Sequence, residues 1–150
     1  MEAFLATAKA SSTIVSTLSG AQKNKILKQM AIALRANADL LLQANKLDMK
    51  EADANRLASS LKDRLFLDPS RIEAMAKAIE EIAGLKEPVG RVLDGWYADA
   101  GFKIEKVSVP IGVVGVIYES RPNVTADVGA LCFKSGNVAI LKGGKEAEHS

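Results

Sequence analysis

The pattern of apolar and polar positions changes twice along this chain and divides it into three parts. Over residues 1–90 apolar side chains recur every three or four positions, as on one face of an amphipathic helix. Two such stripes are Ile26, Leu27, Met30, Ala31 and Leu34, and Ile72, Met75, Ala76, Ile79 and Ile82. Each stripe follows two residues with capping-box spacing, Ser19 with Gln22 and Ser70 with Glu73. We expect this part of the chain to be helical and mostly structural, with helix ends at Asn37 and Gly84.

Residues 91–109 carry a different pattern. Short strand-like runs at 91–93 and 102–107 are separated by the turn-forming pairs Asp94-Gly95 and Ala100-Gly101. Alternating side chains around such turns predict a β-hairpin.

Residues 110–150 contain two continuous apolar runs, at 113–117 and 138–141. Runs of this kind are typical of parallel strands buried on both faces. Between them, residues 125–135 are long enough for one helix, with Thr125 as its N-cap and Gly136 as a left-handed stop. The predicted fold class is α/β, with amino-terminal helices, a hairpin and the first strand-helix-strand of a parallel nucleotide-binding sheet.

Ligands of open α/β sheets bind beyond the carboxyl ends of the strands, so two loops are candidates for chemistry. They cover residues 118–124 and the segment Lys142-Gly143-Gly144-Lys145, which the sequence predicts to lead into a helix at Glu146. Paired glycines allow close approach of the backbone, and two lysines favour an anion. No G-x-G-x-x-G motif is present. From the residues alone, an anion site and an ordinary turn with solvated lysines both remain open.

The run VPIGVVGVIYESRPNVT at 109–125, followed by SGN at 135–137 and LKGGKEA at 141–147, closely resembles the γ-glutamyl phosphate reductase family. Shorter matches in the same order cover nearly the whole chain. The resemblance implies an aldehyde dehydrogenase-like fold and places this chain as the amino-terminal third of such an enzyme. It further implies that residues 1–90 are a helical part of the NADP-binding domain, that 91–109 are a possible oligomerisation hairpin, and that 110–150 begin the Rossmann-like sheet.

The activity that the resemblance implies is the NADPH-dependent reduction of L-glutamyl 5-phosphate to L-glutamate 5-semialdehyde with release of phosphate, a step of proline biosynthesis. In that family a cysteine thiolate first forms a thioester, which divides one hard substitution into two easier steps. The motif of that cysteine lies downstream of this chain. We therefore expect the catalytic domain to be absent here and the chain alone to be inactive. The position of Met1 favours a stand-alone reductase over a fused kinase-reductase.

The resemblance also implies roles for the loop after the second strand. Lys142 matches the superfamily lysine that holds the adenosine ribose, with Gly143 and Gly144 beside it. Lys145 occupies a position where many NAD-preferring relatives carry a glutamate, and an ammonium there would attract a 2′-phosphate. The expected cofactor is NADP rather than NAD. A shift of one residue, which would bring Glu146 to that position, would reverse the argument.

In the loop after the first strand, Asn123 resembles the asparagine that donates a hydrogen bond to the oxyanion of the tetrahedral intermediate. An asparagine that stabilises a turn beside Pro122 is the alternative. Arg121 is a candidate to hold a phosphate or carboxylate of the substrate, or to pair with Glu119. Cys132, the only cysteine, lies between apolar neighbours, and we predict that it has a structural role and is not the nucleophile.

The composition of the chain indicates which classes of partner to expect. The formal charge is +2, from 20 basic and 18 acidic residues, and no basic cluster is interleaved with aromatics, so nucleic acid is not expected. No apolar stretch of about twenty residues and no signal peptide are present, which predicts a cytoplasmic protein without membrane contact. A single histidine gives no metal-ligand pattern. The expected partners are a small-molecule substrate and, through the hairpin, further copies of the same chain.

Two alternatives to the reductase remain. One is an aldehyde dehydrogenase that oxidises a free aldehyde without phosphate. The other is a short, non-catalytic chain that binds nucleotide or pairs with a full-length subunit.

Overall fold

The structure, a computed structural model, describes residues 2–150. These residues form six α-helices, four β-strands and one 3-10 helix. In chain order they are α1 (Glu2–Ser16), α2 (Gly20–Ala36), α3 (Ala38–Ala54), α4 (Ser59–Leu65), α5 (Pro69–Gly84), β1 (Val92–Tyr97), β2 (Lys103–Val107), β3 (Val113–Ile117), α6 (Pro122–Lys134), β4 (Val138–Lys142) and the 3-10 helix (Lys145–Ala147). The predicted α/β class and order of elements are confirmed.

The core lies where α2, α5 and α6 meet. Its buried members are Leu27, Ala31, Ala76, Ile79, Ile82, Ala83 and Ala130. The Ser19 capping box is confirmed, since Gln22 N donates to Ser19 Oγ and Ser19 N donates to Gln22 Oε1. The α2 stripe is narrower than predicted: Ile26 and Met30 remain 40% and 37% exposed.

The predicted start of α5 is wrong. Asp68, not Ser70, is the N-cap, and its Oδ1 accepts from both Arg71 N and Ser70 Oγ at 2.7 Å. Because Pro69 suits the first helical position, the cap falls on the residue before it. Glu73 instead bonds Arg35 of α2 at 2.8 Å. The helix ends at Gly84, as predicted.

The four strands form two separate pairs. β1 and β2 are antiparallel, which confirms the hairpin, but β1 runs through Asp94-Gly95 to Tyr97 and carries its irregularity between Val92 and Asp94. The first predicted turn is therefore inside a strand. β3 and β4 are parallel, as predicted, with Ile117 opposite Lys142. Ile117 is nevertheless 82% exposed, because within residues 2–150 β4 is the only strand beside β3.

Helix α6 connects the parallel strands and begins at Pro122, three residues before the predicted Thr125. Arg121 is its N-cap residue and makes no side-chain capping bond. Proline at the first helical position needs no N–H partner, so it fixes the start there. The predicted left-handed stop is confirmed, since Gly136 has φ +76°.

Candidate functional site

The carboxyl ends of β3 and β4 lie side by side. Ile117 and Lys142 are neighbours across the pair, and Tyr118 N donates to Lys142 O at 3.1 Å. The loops that follow the two strands are therefore adjacent, as the parallel arrangement predicts. This edge is where α/β sheets place their ligands.

In the loop after β4, Lys142 and Lys145 are both exposed. Gly143 lies against Tyr118, where an added Cβ would be 3.5 Å from the ring. The Tyr118 hydroxyl shares a 2.6 Å hydrogen bond with Thr125 Oγ1. Thr125, predicted as a helix cap, thus serves to hold the tyrosine over the glycine.

Ser120 joins the two loops. Its hydroxyl donates to Glu146 Oε2 at 2.5 Å, and this bond is the main reason that the pKa of Glu146 lies below its ordinary value. A Cβ on Gly144 would be 2.3 Å from Ser120 Oγ and 2.7 Å from Glu146 Oε2, so a larger residue there would displace this hydrogen-bonded pair. The residues that follow form a 3-10 turn, Lys145–Ala147, rather than the predicted helix start at Glu146.

Arg121 does not pair with Glu119, so that alternative for Arg121 is wrong. Glu119 Oε2 instead accepts from Arg64 Nη1 of α4 at 2.6 Å. Arg121 is half-buried, and its Nε is shielded from solvent without a hydrogen-bond partner among residues 2–150.

A cavity of about 390 Å³ opens between α4, α5 and α6. Its lining residues are Arg64, Phe66, Leu67, Arg71, Ala74, Met75, Ala78, Asn123 and Asp127. Asn123 lies in the first turn of α6, not in a loop as predicted, and its Nδ2 is 3.4 Å from Asp127 Oδ2. The other carboxylate oxygen of Asp127, Oδ1, is shielded from solvent and has no partner in the described part of the chain.

The arginines of this cavity differ in how they are held. Arg71 donates to Phe66 O at 3.0 Å and to Asp63 Oδ1 at 2.7 Å, and its guanidinium lies 5.5 Å from the centre of the Phe66 ring. Arg64 contacts Glu119 through Nη1 alone.

The structure therefore separates the predicted site residues into two groups. Lys142 to Lys145 lie at the end of β4, Asn123 lines the cavity from the first turn of α6, and Arg121 is the N-cap residue of that helix. Sequence reasoning missed Ser120, Arg64 and Asp127 as site residues. The spacing of Asn123 and Asp127, four positions on one helix, was a usable signal for Asp127. Nothing local marks Arg64.

A second buried polar group holds the last residues described. Asp48 of α3 is 1% exposed and accepts from His149 N at 3.0 Å, from Ser150 N at 2.9 Å and from Ser150 Oγ at 2.5 Å. Asn45, one turn earlier, donates to Leu65 O and accepts from Leu67 N, both at 2.8 Å. These contacts fix the α4–α5 connection and the end of the chain to α3.

Cys132 is half-buried in α6, and burial raises the pKa of its thiol. A thiol of this kind stays protonated and unreactive at neutral pH. No group of three or more His, Cys, Asp or Glu side chains in residues 2–150 is arranged to hold a metal ion. None of the helices from α1 to α6 is long and apolar enough to cross a bilayer.

The whole chain is similar in sequence, and nearly the whole chain in structure, to proteins named γ-glutamyl phosphate reductase. It is 68% identical to γ-glutamyl phosphate reductase of Sulfurovum sp. and 66% identical to that of Sulfurimonas denitrificans, over 100% of this chain and 37% of each relative. The crystal structure of the Thermotoga maritima γ-glutamyl phosphate reductase superposes with a TM-score of 0.90 at 41% identity, over 93% of this chain and 34% of that one. The Saccharomyces cerevisiae γ-glutamyl phosphate reductase gives 0.89 at 42% identity, over 95% and 36%. The chain thus spans just over a third of the length of the curated relatives it matches. No protein-family model matches it.

Proposed function

We propose that this chain, which corresponds over its whole length to the amino-terminal third of the γ-glutamyl phosphate reductases, supplies the nucleotide-binding part of an enzyme that reduces L-glutamyl 5-phosphate to L-glutamate 5-semialdehyde with release of phosphate. The step belongs to proline biosynthesis. The observation that carries the proposal is 68% identity over all 150 residues to a protein of that name. The nucleophilic cysteine is assigned to the part of the enzyme beyond this chain, because Cys132 is a half-buried thiol whose pKa is raised.

The cofactor of this reaction is a nicotinamide dinucleotide, and we assign its adenosine half to Lys142, Gly143, Gly144 and Lys145. The residues fit such a group, because both ammonium groups are exposed at the ligand edge of the sheet and form no ion pair within residues 2–150. When bound, the nicotinamide supplies the hydride.

The form of the cofactor is proposed to be NADP. A 2′-phosphate carries negative charge, and Lys145 offers a positive charge without a carboxylate in contact. The nearest competitor is Glu146, whose carboxylate is bound to Ser120 at 2.5 Å. That bond supports Lys145, and not Glu146, as the residue that meets the ribose.

Asn123 is proposed as the donor to the developing oxyanion. The only hydrogen bond of its side chain in the described residues is the 3.4 Å contact with Asp127, which is long and weak, so the amide can turn toward a ligand. Arg121 is proposed to hold an anionic group of the substrate, and its shielded, unpartnered Nε supports a ligand at this position.

The hairpin of residues 91–109 is proposed to join copies of the enzyme. All six residues of β1 are exposed, and Trp96, Tyr97 and Phe102 are 50%, 74% and 57% exposed. Apolar side chains beside open strand edges favour pairing with another chain.

The proposal is tested by supplying glutamyl 5-phosphate, formed in place by a glutamate kinase and ATP, to the native-length gene product. Oxidation of NADPH should require the kinase, glutamate and ATP, and should form one semialdehyde and one inorganic phosphate per cofactor consumed. Oxidation of NADPH without formation of the semialdehyde would contradict it.

A further inference from the structure

The wall of the cavity between α4, α5 and α6 carries charges of both signs. Arg64 of α4 is positive, and Asp127 of α6 is negative. We propose that this cavity binds the α-amino-acid end of the substrate, with Asp127 on the ammonium and Arg64 on the α-carboxylate. The inference rests on the proposed function, because it concerns the substrate of that reaction. It assigns specificity to residues that none of the preceding roles uses.

The half-buried carboxylate of Asp127 has few hydrogen-bond donors around it. Its Oδ1 is shielded from solvent without a hydrogen bond in residues 2–150, and its Oδ2 has only the 3.4 Å contact with Asn123. A desolvated anionic oxygen without a partner is costly, and an ammonium group in the cavity would supply both charge and donors. The carboxylate therefore selects a cationic ligand.

Arg64 has donors to spare. Only Nη1 is engaged in the described residues, by Glu119 at 2.6 Å, and the side chain is 41% exposed. The remaining N–H groups of a guanidinium form the planar fork that matches a carboxylate. Arg71 is less free, because it already donates to Asp63 and to Phe66 O.

Asn123 and Asp127 lie on one face of α6, and Asn123 Nδ2 is 3.4 Å from Asp127 Oδ2, so one ligand can contact both side chains. In a glutamyl group the reacting carbonyl carbon and the α-nitrogen are separated by four bonds, about 5 Å when extended. Because each hydrogen bond adds about 3 Å, a ligand of this length can contact Asn123 with its acyl oxygen and Asp127 with its ammonium.

Three aldehydes separate the two contacts. L-glutamate 5-semialdehyde has both groups, 5-oxopentanoate lacks the ammonium, and 4-aminobutanal lacks the carboxylate. The experiment measures kcat/KM for each with NADP and phosphate in the native-length enzyme, or the inhibition constant against the semialdehyde where an analogue turns over too slowly. The variants are Asp127→Asn and Arg64→Gln.

Asp127→Asn should lower kcat/KM for the semialdehyde about tenfold or more. It should leave kcat/KM for 5-oxopentanoate nearly unchanged, because that analogue has no ammonium group for Asp127 to bind. Arg64→Gln should lower it for both carboxylate-bearing aldehydes and leave 4-aminobutanal nearly unchanged. Glu119→Gln is the matched control, since it breaks the same ion pair but keeps the guanidinium. Asp39→Asn, an exposed carboxylate in the first turn of α3, controls for the change of residue type.

Equal losses for all three aldehydes would overturn the inference, as would equal effects of Arg64→Gln and Glu119→Gln, because both results describe a structural role. An active wild-type enzyme whose discrimination is untouched by either variant would also overturn it and leave the proposed function standing. A wild-type enzyme with no phosphate-dependent turnover would instead remove the proposed function on which the inference rests.

Discussion

The hydroxyl of Ser120 donates to Oε2 of Glu146 at 2.5 Å and so joins the loop after β3 to the loop after β4. The two residues are 26 positions apart in the chain. The bond engages the acidic side chain that follows Lys145 in the chain, and Lys142 and Lys145 both remain exposed. Gly144 is part of the same contact, because a larger residue would displace the side chains of Ser120 and Glu146.

Replacing Lys145 with Glu should weaken NADP binding about tenfold and NAD binding much less. The substituted carboxylate repels the 2′-phosphate, which NAD lacks. Fluorescence titration of NADPH and NADH against the native-length enzyme measures both affinities. Lys28→Glu, at an exposed position of α2 that forms no ion pair within residues 2–150, is a control with the same charge change. Equal losses for both cofactors would contradict the assignment of Lys145.

Replacing Ser120 with Ala should reduce the preference for NADP over NAD about two- to tenfold, because it frees the Glu146 carboxylate to approach the ribose. The double variant Ser120→Ala with Glu146→Gln should recover the preference, since the freed side chain is then neutral. Ratios of kcat/KM for the two cofactors give the readout. A double variant that behaves like Ser120→Ala alone would show that the serine acts by another route.

The same bond has a pH signature. The pKa of Glu146 lies below its ordinary value of 4.5, because the carboxylate accepts the Ser120 hydrogen bond. The bond therefore stabilises the fold fully above the unfolded pKa and is lost as the pH falls through the lower folded pKa. Carbon NMR of the Glu146 carboxyl should show it more than half ionised at pH 4.5. In Ser120→Ala the midpoint should rise, and an unchanged midpoint would argue against the bond.

Local patterns predicted the fold better than the site. The strands β3 and β4 follow from two short apolar runs, and the Ser19 cap follows from four consecutive residues. Helix starts failed where two start signals compete within a few residues: Pro122 against Thr125, and Asp68 against Ser70. In both cases the proline decided the position, because it suits the first helical turn.

The contacts of the site are long-range, which is why the sequence did not show them. Arg64 and Glu119 are 55 residues apart, whereas a pair between Glu119 and its neighbour Arg121 was the local alternative that the sequence left open. Only the packing of α4 beside the β3 loop brings the distant arginine close. The positions of Lys142 to Lys145 were predictable, because the end of a strand is a local property.

Asp48→Asn should lower the free energy of unfolding by roughly 2 kcal/mol. Three donors from His149 and Ser150 point at its two oxygens, and an amide would place an NH2 group against one set of them. Urea denaturation of the native-length protein measures the change. Asp53→Asn on the same helix is the control, because that carboxylate is exposed and pairs only with Lys62. A loss no larger than the control would count against the buried network.

Tyr97→Lys in β1 should shift the enzyme toward smaller assemblies, because a charge replaces the most exposed aromatic ring of the hairpin. Tyr97→Phe keeps the apolar surface and should leave the assembly unchanged. Light scattering after size-exclusion chromatography gives the masses. A wild-type protein that is monomeric, or a Tyr97→Lys variant with the wild-type mass, would contradict the role of the hairpin.

The most direct test of the central claim is NADP reduction by the native-length gene product with L-glutamate 5-semialdehyde, measured with and without inorganic phosphate. Phosphate is a reactant in the reverse of the proposed reaction, so turnover should require it and saturate with its concentration. Semialdehyde oxidation at the same rate without phosphate would contradict the reductase, and so would the absence of turnover in its presence.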